Sequence, residues 1–230
     1  MGEAFDWTRT SAFALCHSEY VDLRKPLRGY VRRFIDQILQ AIGFLHKLGF
    51  VHGDIRPQTI RLSGVQGAET FRLNVESAAK PQDIRAGDPL GQPPYLAPEM
   101  TGDRITDQPG DMYAFAMTLL EVAGIFCPQE IQQDAQEWAK KLRTNGVRQW
   151  ASYWEKPNAT QYEVVRSRVG ALCENELIKP SVALILERNL DQDPNKRSTA
   201  ERALQDFLED RHSPGETRFG EPRWAVILSS

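Results

Sequence analysis

Residues 51–60 read Val51-His52-Gly53-Asp54-Ile55-Arg56-Pro57-Gln58-Thr59-Ile60. This stretch places one carboxylate in a polar loop between two apolar segments. The residues before it, 26–48, carry apolar side chains at spacings of three and four, which predicts a helix with one buried face; they are Val31, Phe34, Ile35, Ile38, Leu39, Ile42 and Leu45. Pro26 suits the first turn of that helix and Gly49 its C-terminal cap.

Short strands are indicated after the loop. Residues 59–62 and 70–75 alternate with period two, and the glycine-containing stretch between them predicts a β-hairpin. Residues 77–98 then hold five prolines and two glycines. Such a density of helix and strand breakers predicts a long irregular loop.

The remainder of the chain is predicted to be helical. From Asp111 to Ala123 nearly every face is apolar, which is typical of a helix at the centre of a domain. Further helices are predicted near 128–145, 160–173, 180–190 and 198–211, the last with a capping box formed by Ser198 and Glu201. The predicted fold is therefore mainly α with a small β-hairpin.

Composition limits the classes of function. The chain has 230 residues, of which 41% are hydrophobic and 26% charged, as expected for one globular domain. A formal net charge of -3 offers no electrostatic case for nucleic acid or membrane partners. No apolar stretch approaches the ~18 residues of a membrane span. Three widely spaced cysteines without a metal pattern favour an intracellular location, cytoplasmic or nuclear.

Four features of the sequence, taken in chain order, together resemble one protein family. Residues 51–60 resemble the protein kinase catalytic loop, His-Arg-Asp-x-x-x-x-Asn. Residues 91–99, Gly-Gln-Pro-Pro-Tyr-Leu-Ala-Pro-Glu, resemble the end of the kinase activation segment. Asp111 matches the aspartate that opens the central kinase helix, and residues 190–200 resemble the segment whose arginine pairs with the Ala-Pro-Glu glutamate. The chain is thus similar to the C-terminal lobe of a protein kinase over residues 26–211, with an N-terminal segment, 1–25, and a tail, 212–230.

Two other interpretations stay open. His-Gly-Asp also resembles the loop of aminoglycoside and choline phosphotransferases, but those families lack the Ala-Pro-Glu segment and its distant arginine. Glu99 and Arg197 therefore favour the protein kinases. The third interpretation is a helical fold with accidental kinase-like turns, because short motifs carry a false-positive risk.

The resemblance implies structural roles for four residues. Asp111 is expected to accept hydrogen bonds from the backbone of the catalytic loop, to which His52 belongs. Glu99 and Arg197 are expected to form a buried bidentate ion pair, and removing one partner of such a pair costs roughly 3–5 kcal/mol. These roles concern the fold and carry no information about catalysis.

The positions that carry the chemistry are altered. Asp54 fills the position of the base and Arg56 that of a cation, and we interpret both as vestigial. Thr59 replaces the metal-binding asparagine. The Asp-Phe-Gly position aligns with Val75 and Glu76, and valine cannot hold magnesium, which requires oxygen ligands. In a register shifted by one residue, Glu76 is a candidate metal ligand.

The nucleotide site is altered as well. Arg61 falls where kinases place an apolar residue under the adenine ring; it is expected to fill the pocket, or else to stack on a base. Gln92 replaces the threonine that contacts the catalytic aspartate. A small lobe needs roughly 70 residues, whereas 25 precede the first clear helix. We therefore expect no small lobe in this stretch of sequence, which is either a lone C-terminal lobe or part of something longer. No cofactor and no metal are expected, with ATP and magnesium binding doubtful.

These features predict a pseudokinase that acts as a protein-binding or regulatory module. The surface that normally faces the small lobe is the expected site for a protein partner or for self-association. The alternative is a residual ATP-dependent serine/threonine-type phosphotransferase with Asp54 as the base and Glu76 as an unusual metal ligand.

Overall fold

In the computed structural model, the described residues are 10–11, 29–63, 68, 70–84, 91, 95–100, 107–123, 169–170 and 178–209. Their strands are β1 (Thr10–Ser11), β2 (Ile60–Ser63) and β3 (Thr70–Leu73); their longer helices are α1 (Gly29–Lys47), α2 (Gln108–Val122), α3 (Pro180–Asn189) and α4 (Ala200–Glu209). This part of the chain is helix-rich with one small antiparallel sheet, as the sequence predicted. The helix predicted near 128–145, most of that near 160–173 and the tail lie outside the described residues.

Helix α1 presents its predicted apolar stripe to the core. The residues buried there are Val31, Phe34, Ile35, Ile38, Leu39 and Ile42. The helix ends in a Schellman motif: the Gly49 amide donates to the His46 carbonyl at 3.0 Å and the Phe50 amide to the Leu45 carbonyl at 3.0 Å. Gly49 has a φ of 78°, which explains the glycine that the sequence placed at this cap.

The predicted hairpin is present in β2 and β3, and its inner face belongs to the core. Ile60 pairs with Leu73 and Leu62 with Phe71, and all four side chains are buried. The sequence did not predict β1, which pairs antiparallel with the other edge of β2. The free edge of β3 faces α1, where the Phe71 amide donates to Oε1 of Gln37 at 2.6 Å. That bond satisfies a donor that an edge strand otherwise leaves unpaired.

One aromatic side chain joins the sheet to both long helices. The ring of Phe34 on α1 lies 5.3 Å from that of Phe71 in an edge-to-face arrangement with an interplanar angle of 87°. The same ring stacks on Phe115 of α2 at 6.2 Å. Aromatic contacts in these geometries add to the free energy of burial. Phe34 therefore fixes how the sheet sits relative to the central helix.

Helix α2 begins three residues before Asp111, at Gln108. Asp107 is the N-cap, because its side chain accepts a hydrogen bond from the Gly110 amide at 2.8 Å. Twelve of the fifteen residues of α2 are buried. The helix is thus the central one that its apolar sequence predicted, and Asp111 lies within its first turn.

Helix α4 packs antiparallel on α1. A side chain at Gly43 would contact Ala200, at the start of α4, and the Arg32 guanidinium lies 5.6 Å from the Phe207 ring near its end. The predicted capping box of Ser198 and Glu201 is wrong, because α4 begins one residue later than it requires. Oγ1 of Thr199 accepts from the Arg202 amide at 3.2 Å and caps the helix.

Among the described residues, no helix combines the length and the apolar character required to cross a membrane.

Candidate active site

The loop between α1 and β2 is fixed to α2 by one buried carboxylate. Oδ2 of Asp111 accepts the His52 amide at 2.7 Å, and Oδ1 accepts the Gly53 amide at 2.8 Å. Nε2 of His46, at the end of α1, lies 2.9 Å from Oδ2. Asp111 therefore ties the loop and α1 to the central helix. Reasoning from the sequence missed the His46 contact, because no motif links residues 65 positions apart.

The His52 ring ties the loop to the end of β3. Nε2 lies 2.6 Å from the Asn74 carbonyl oxygen, and the Asp54 amide donates to Nδ1 at 3.2 Å. These two contacts together require the neutral tautomer with its proton on Nε2. The fully buried His52 thus positions both Asp54 and the residues that follow β3.

Glu99 and Arg197 form a bidentate ion pair between the activation-segment end and the connection before α4. The two contacts, Nη1 to Oε1 and Nη2 to Oε2, measure 2.5 and 2.7 Å. Nε of Arg197 also donates to the Asp191 carbonyl at 2.8 Å, and its guanidinium lies 5.0 Å from the Tyr113 ring. The arginine side chain is fully buried, so its charge depends on these partners.

Two glycines allow the loop and the activation segment to touch. Gly53 and Gly91 have φ values of 76° and 74°, in the left-handed region that favours glycine. A Cβ atom on Gly91 would lie 3.0 Å from the Gly53 carbonyl oxygen and 2.8 Å from Cδ2 of Leu96. Any side chain at position 91 would therefore force the two segments apart.

The carboxylate of Asp54 is engaged by its own loop. The Nε–H of Arg56 points at both oxygens, at distances of 2.8 and 3.0 Å. The two side chains are 19% and 21% exposed, so the ion pair is only partly screened by water. Asp54 is therefore partly accessible, with a cation beside both of its oxygens.

Thr59 uses its hydroxyl to close the turn. Oγ1 accepts the Arg56 amide at 3.1 Å and lies 2.8 Å from the Asp54 carbonyl oxygen and 2.9 Å from that of Arg56, either of which can accept its proton. A hydroxyl has one proton and two lone pairs. Thr59 Oγ1 therefore keeps one lone pair, and all three of these contacts are with backbone atoms of its own loop.

Val75 and Glu76 project into solvent directly after β3. Val75 is 53% exposed, and Glu76 is also exposed. The Glu76 amide donates to Oδ1 of Asn74 at 3.3 Å, while its carboxylate makes no hydrogen bond or ion pair with the described residues. The Glu76 charge is therefore not buried.

Arg61 lies on the exposed face of β2, directly opposite Arg72 of β3. The structure thus places it on the outer face of the hairpin, away from the core. Gln92, the other altered position that the sequence singled out, lies outside the described residues.

Comparisons with known proteins decide the family. A model of the protein kinase domain matches residues 20–208. The chain belongs to the protein kinase family. It is 33% identical over 100 residues to the serine/threonine-protein kinase PKH2 of Candida albicans, a match that covers 40% of this chain and 11% of that protein.

Longer matches are less identical. A probable myosin light chain kinase of Dictyostelium discoideum is 24% identical over 177 residues, covering 75% of this chain and 48% of that protein. The human serine/threonine-protein kinase ULK3 is 27% identical over 196 residues, covering 83% and 35%. The matched parts are thus less than half the length of these kinases.

The residues at the kinase metal positions do not fit a magnesium ion. Magnesium takes oxygen ligands in near-octahedral geometry, with one or two carboxylates besides water and phosphate. Here Val75 has no side-chain oxygen, and the hydroxyl of Thr59 already contacts three backbone groups of its own turn. Within the described ranges no three His, Cys, Asp or Glu side chains are grouped as a metal would need.

A recess lies between the kinase loop and the activation segment. Asp54, Tyr95, Leu96, Met100 and Asp111 are among the residues that line it. The space open to solvent inside it is about 10 Å³, roughly the room that one water molecule needs. This recess by itself is therefore not a nucleotide pocket.

Proposed function

We propose that the described residues form the C-terminal lobe of a protein kinase fold that has lost phosphoryl transfer and acts as a protein-binding, regulatory module inside the cell. The observation that carries this proposal is the state of Asp54, whose two oxygens face Arg56 while the kinase metal positions, Thr59 and Val75, supply no carboxylate. Phosphoryl transfer depends on metal ions and positioned charges around the phosphates. The residues at those positions supply too few oxygen ligands for that chemistry.

The retained kinase features support the fold without supporting catalysis. Asp111 holds the loop, and the Glu99–Arg197 pair holds the end of the activation segment. Both are buried contacts between backbone segments that are distant in sequence. A binding module without catalytic activity would still need these two sets of contacts, because an unpaired buried charge is costly.

Apolar side chains on the surface support a binding role. Phe44 and Leu48, one helical turn apart at the end of α1, are 64% and 54% exposed, and Val75 is 53% exposed beside the candidate site. Apolar side chains grouped on a surface are typical of an interface. We infer that a protein partner or a second copy covers part of the surface that meets the small lobe in other kinases.

A second candidate function is residual phosphotransfer. It is favoured by the one-fifth exposure of Asp54 and by the exposed Glu76 carboxylate, which is not committed to any described residue. Magnesium does use carboxylates. This candidate requires Glu76 to serve as the metal ligand in a register shifted by one residue.

Thermal denaturation with ATP and magnesium or manganese separates the two functions. For the binding module we expect no change in the melting temperature with either metal–nucleotide complex. A clear rise that disappears in Asp54→Asn or Glu76→Ala would favour residual phosphotransfer. Glu187→Ala is the matched control, since it removes an exposed carboxylate on α3, outside the kinase loop and the positions aligned with the metal ligands.

The binding role needs its own test. Size-exclusion chromatography with light scattering, followed by capture from a cell lysate, measures self-association and partner binding. We expect a dimer or a captured partner, and Phe44→Ser with Leu48→Ser tests whether α1 contributes. A monomer that captures nothing would count against a binding module.

A further inference from the structure

The outer face of the hairpin carries two arginines in direct register. Arg61 on β2 and Arg72 on β3 are cross-strand partners, and both are exposed. Directly opposed residues on one sheet face have Cβ atoms about 4.5–5.5 Å apart. The two guanidinium groups therefore extend side by side from one small area, which we call the arginine pair.

Within the described part of the chain, neither side chain of the arginine pair takes part in a hydrogen bond or an ion pair. Other exposed arginines do have partners: Arg188 and Arg202 both contact the Asp206 carboxylate, at 2.7 and 2.9 Å. Like charges placed directly across a sheet repel each other and destabilise the pairing. The core nevertheless fixes the register of Arg61 against Arg72, because the residues on either side of each arginine are buried. These residues are Ile60, Leu62, Phe71 and Leu73.

We propose that the arginine pair binds an acidic helical segment of a protein partner, with carboxylates at positions i and i+4. This inference rests on the proposed binding function and names its partner chemistry. Residues three or four apart on a helix have Cβ atoms about 5–6 Å apart, which matches the spacing of the pair. Each guanidinium can then hold one carboxylate through two parallel hydrogen bonds.

An acidic protein segment fits these two charges better than a membrane does. Anionic lipid recognition uses clusters of about 4–8 basic residues. The described part of the chain places two on this face, and the formal net charge of the chain is -3. Two acidic residues on one face of a helix are neutralised by two cations, the number that the arginine pair supplies. Binding of carboxylates would also offset the repulsion between Arg61 and Arg72, and this relief favours an anionic partner.

Fluorescence anisotropy on the full chain tests the proposal. The probe is a labelled alanine-rich helical peptide with glutamates at i and i+4, compared with an isomer whose glutamates lie on opposite faces. We expect the first peptide to bind more tightly, with an affinity that falls as salt is added. Arg61→Glu with Arg72→Glu should weaken it at least about tenfold, since two attractive charge contacts become repulsive.

Lys47→Glu with Lys196→Glu is the matched control, because it makes the same change in net charge at two exposed positions, in the last turn of α1 and in the turn before α4. Equal loss in this variant, or equal binding of the two peptides, would overturn the proposal. Binding to phosphatidylserine vesicles that depends on the pair, without peptide binding, would also overturn it. None of these three outcomes bears on the proposed loss of catalysis, which the metal–ATP measurements test separately.

Discussion

The Nε–H of Arg56 faces both carboxylate oxygens of Asp54, at 2.8 and 3.0 Å, so the base position of this kinase loop is held in an ion pair by a residue two positions along the chain. The residues that align with the neighbouring metal positions are Thr59 and Val75. The Asp54–Arg56 ion pair can therefore stabilise the conformation of the loop without a part in catalysis.

Replacing Arg56 with alanine should free the carboxylate without creating an enzyme. We expect no phosphate transfer to a generic protein substrate, because the metal ligands remain missing. Stability should change by less than about 1 kcal/mol, since partly exposed ion pairs contribute little. A radiolabel transfer assay and urea unfolding measure the two effects. Transfer by Arg56→Ala that Asp54→Asn abolishes would contradict the proposed function.

Asp111→Asn should destabilise the protein by about 1–3 kcal/mol, because an amide group replaces one of two oxygens that accept buried hydrogen bonds. Those bonds come from the His52 and Gly53 amides. Urea denaturation measures the free energy of unfolding. Asp107→Asn is the matched control: it makes the same substitution at an N-cap, where asparagine performs as well as aspartate. If both variants unfold at the same urea concentration, Asp111 does not organise the loop.

Glu99→Ala should cost roughly 3–5 kcal/mol, since it leaves the buried guanidinium of Arg197 without its carboxylate. The comparison variant is Arg202→Ala, which removes an ion pair with Asp206 whose arginine side chain is 55% exposed. That loss should stay below about 1 kcal/mol. Chemical unfolding of both variants gives the difference, and similar costs would mean that burial does not strengthen the Glu99–Arg197 pair.

Gly91→Ala should destabilise the protein more than Gly49→Ala does. Both glycines have positive φ, at 74° and 78°, and each substitution places alanine in the left-handed region at a cost of about 1–2 kcal/mol. Only at Gly91 would the new methyl group approach a backbone atom, the Gly53 carbonyl oxygen at 3.0 Å. At Gly49 no described heavy atom lies within 4 Å. Equal melting temperatures for the two variants would show that the loop and the activation segment are not in contact.

Local patterns account for the elements that were predicted correctly. The apolar spacing of α1 and the alternation of β2 and β3 each arise within one segment, so they can be read without knowing what the segment packs against. The cap of α4 was misplaced, because Ser198 and Thr199 are both suitable N-cap residues. Strand β1 was missed, because two residues are too short to show a period.

The sequence by itself determined the order of the kinase-like segments, the buried faces of the main elements and the residue types that align with the kinase metal positions, since each of these is a property of residue type and spacing. The tertiary structure alone decided that His46 meets Asp111, that Gly91 touches Gly53, and that Arg61 and Arg72 stand side by side. These contacts join residues that are distant along the chain. They depend on how the core fixes one backbone segment against another, and no local pattern contains that information.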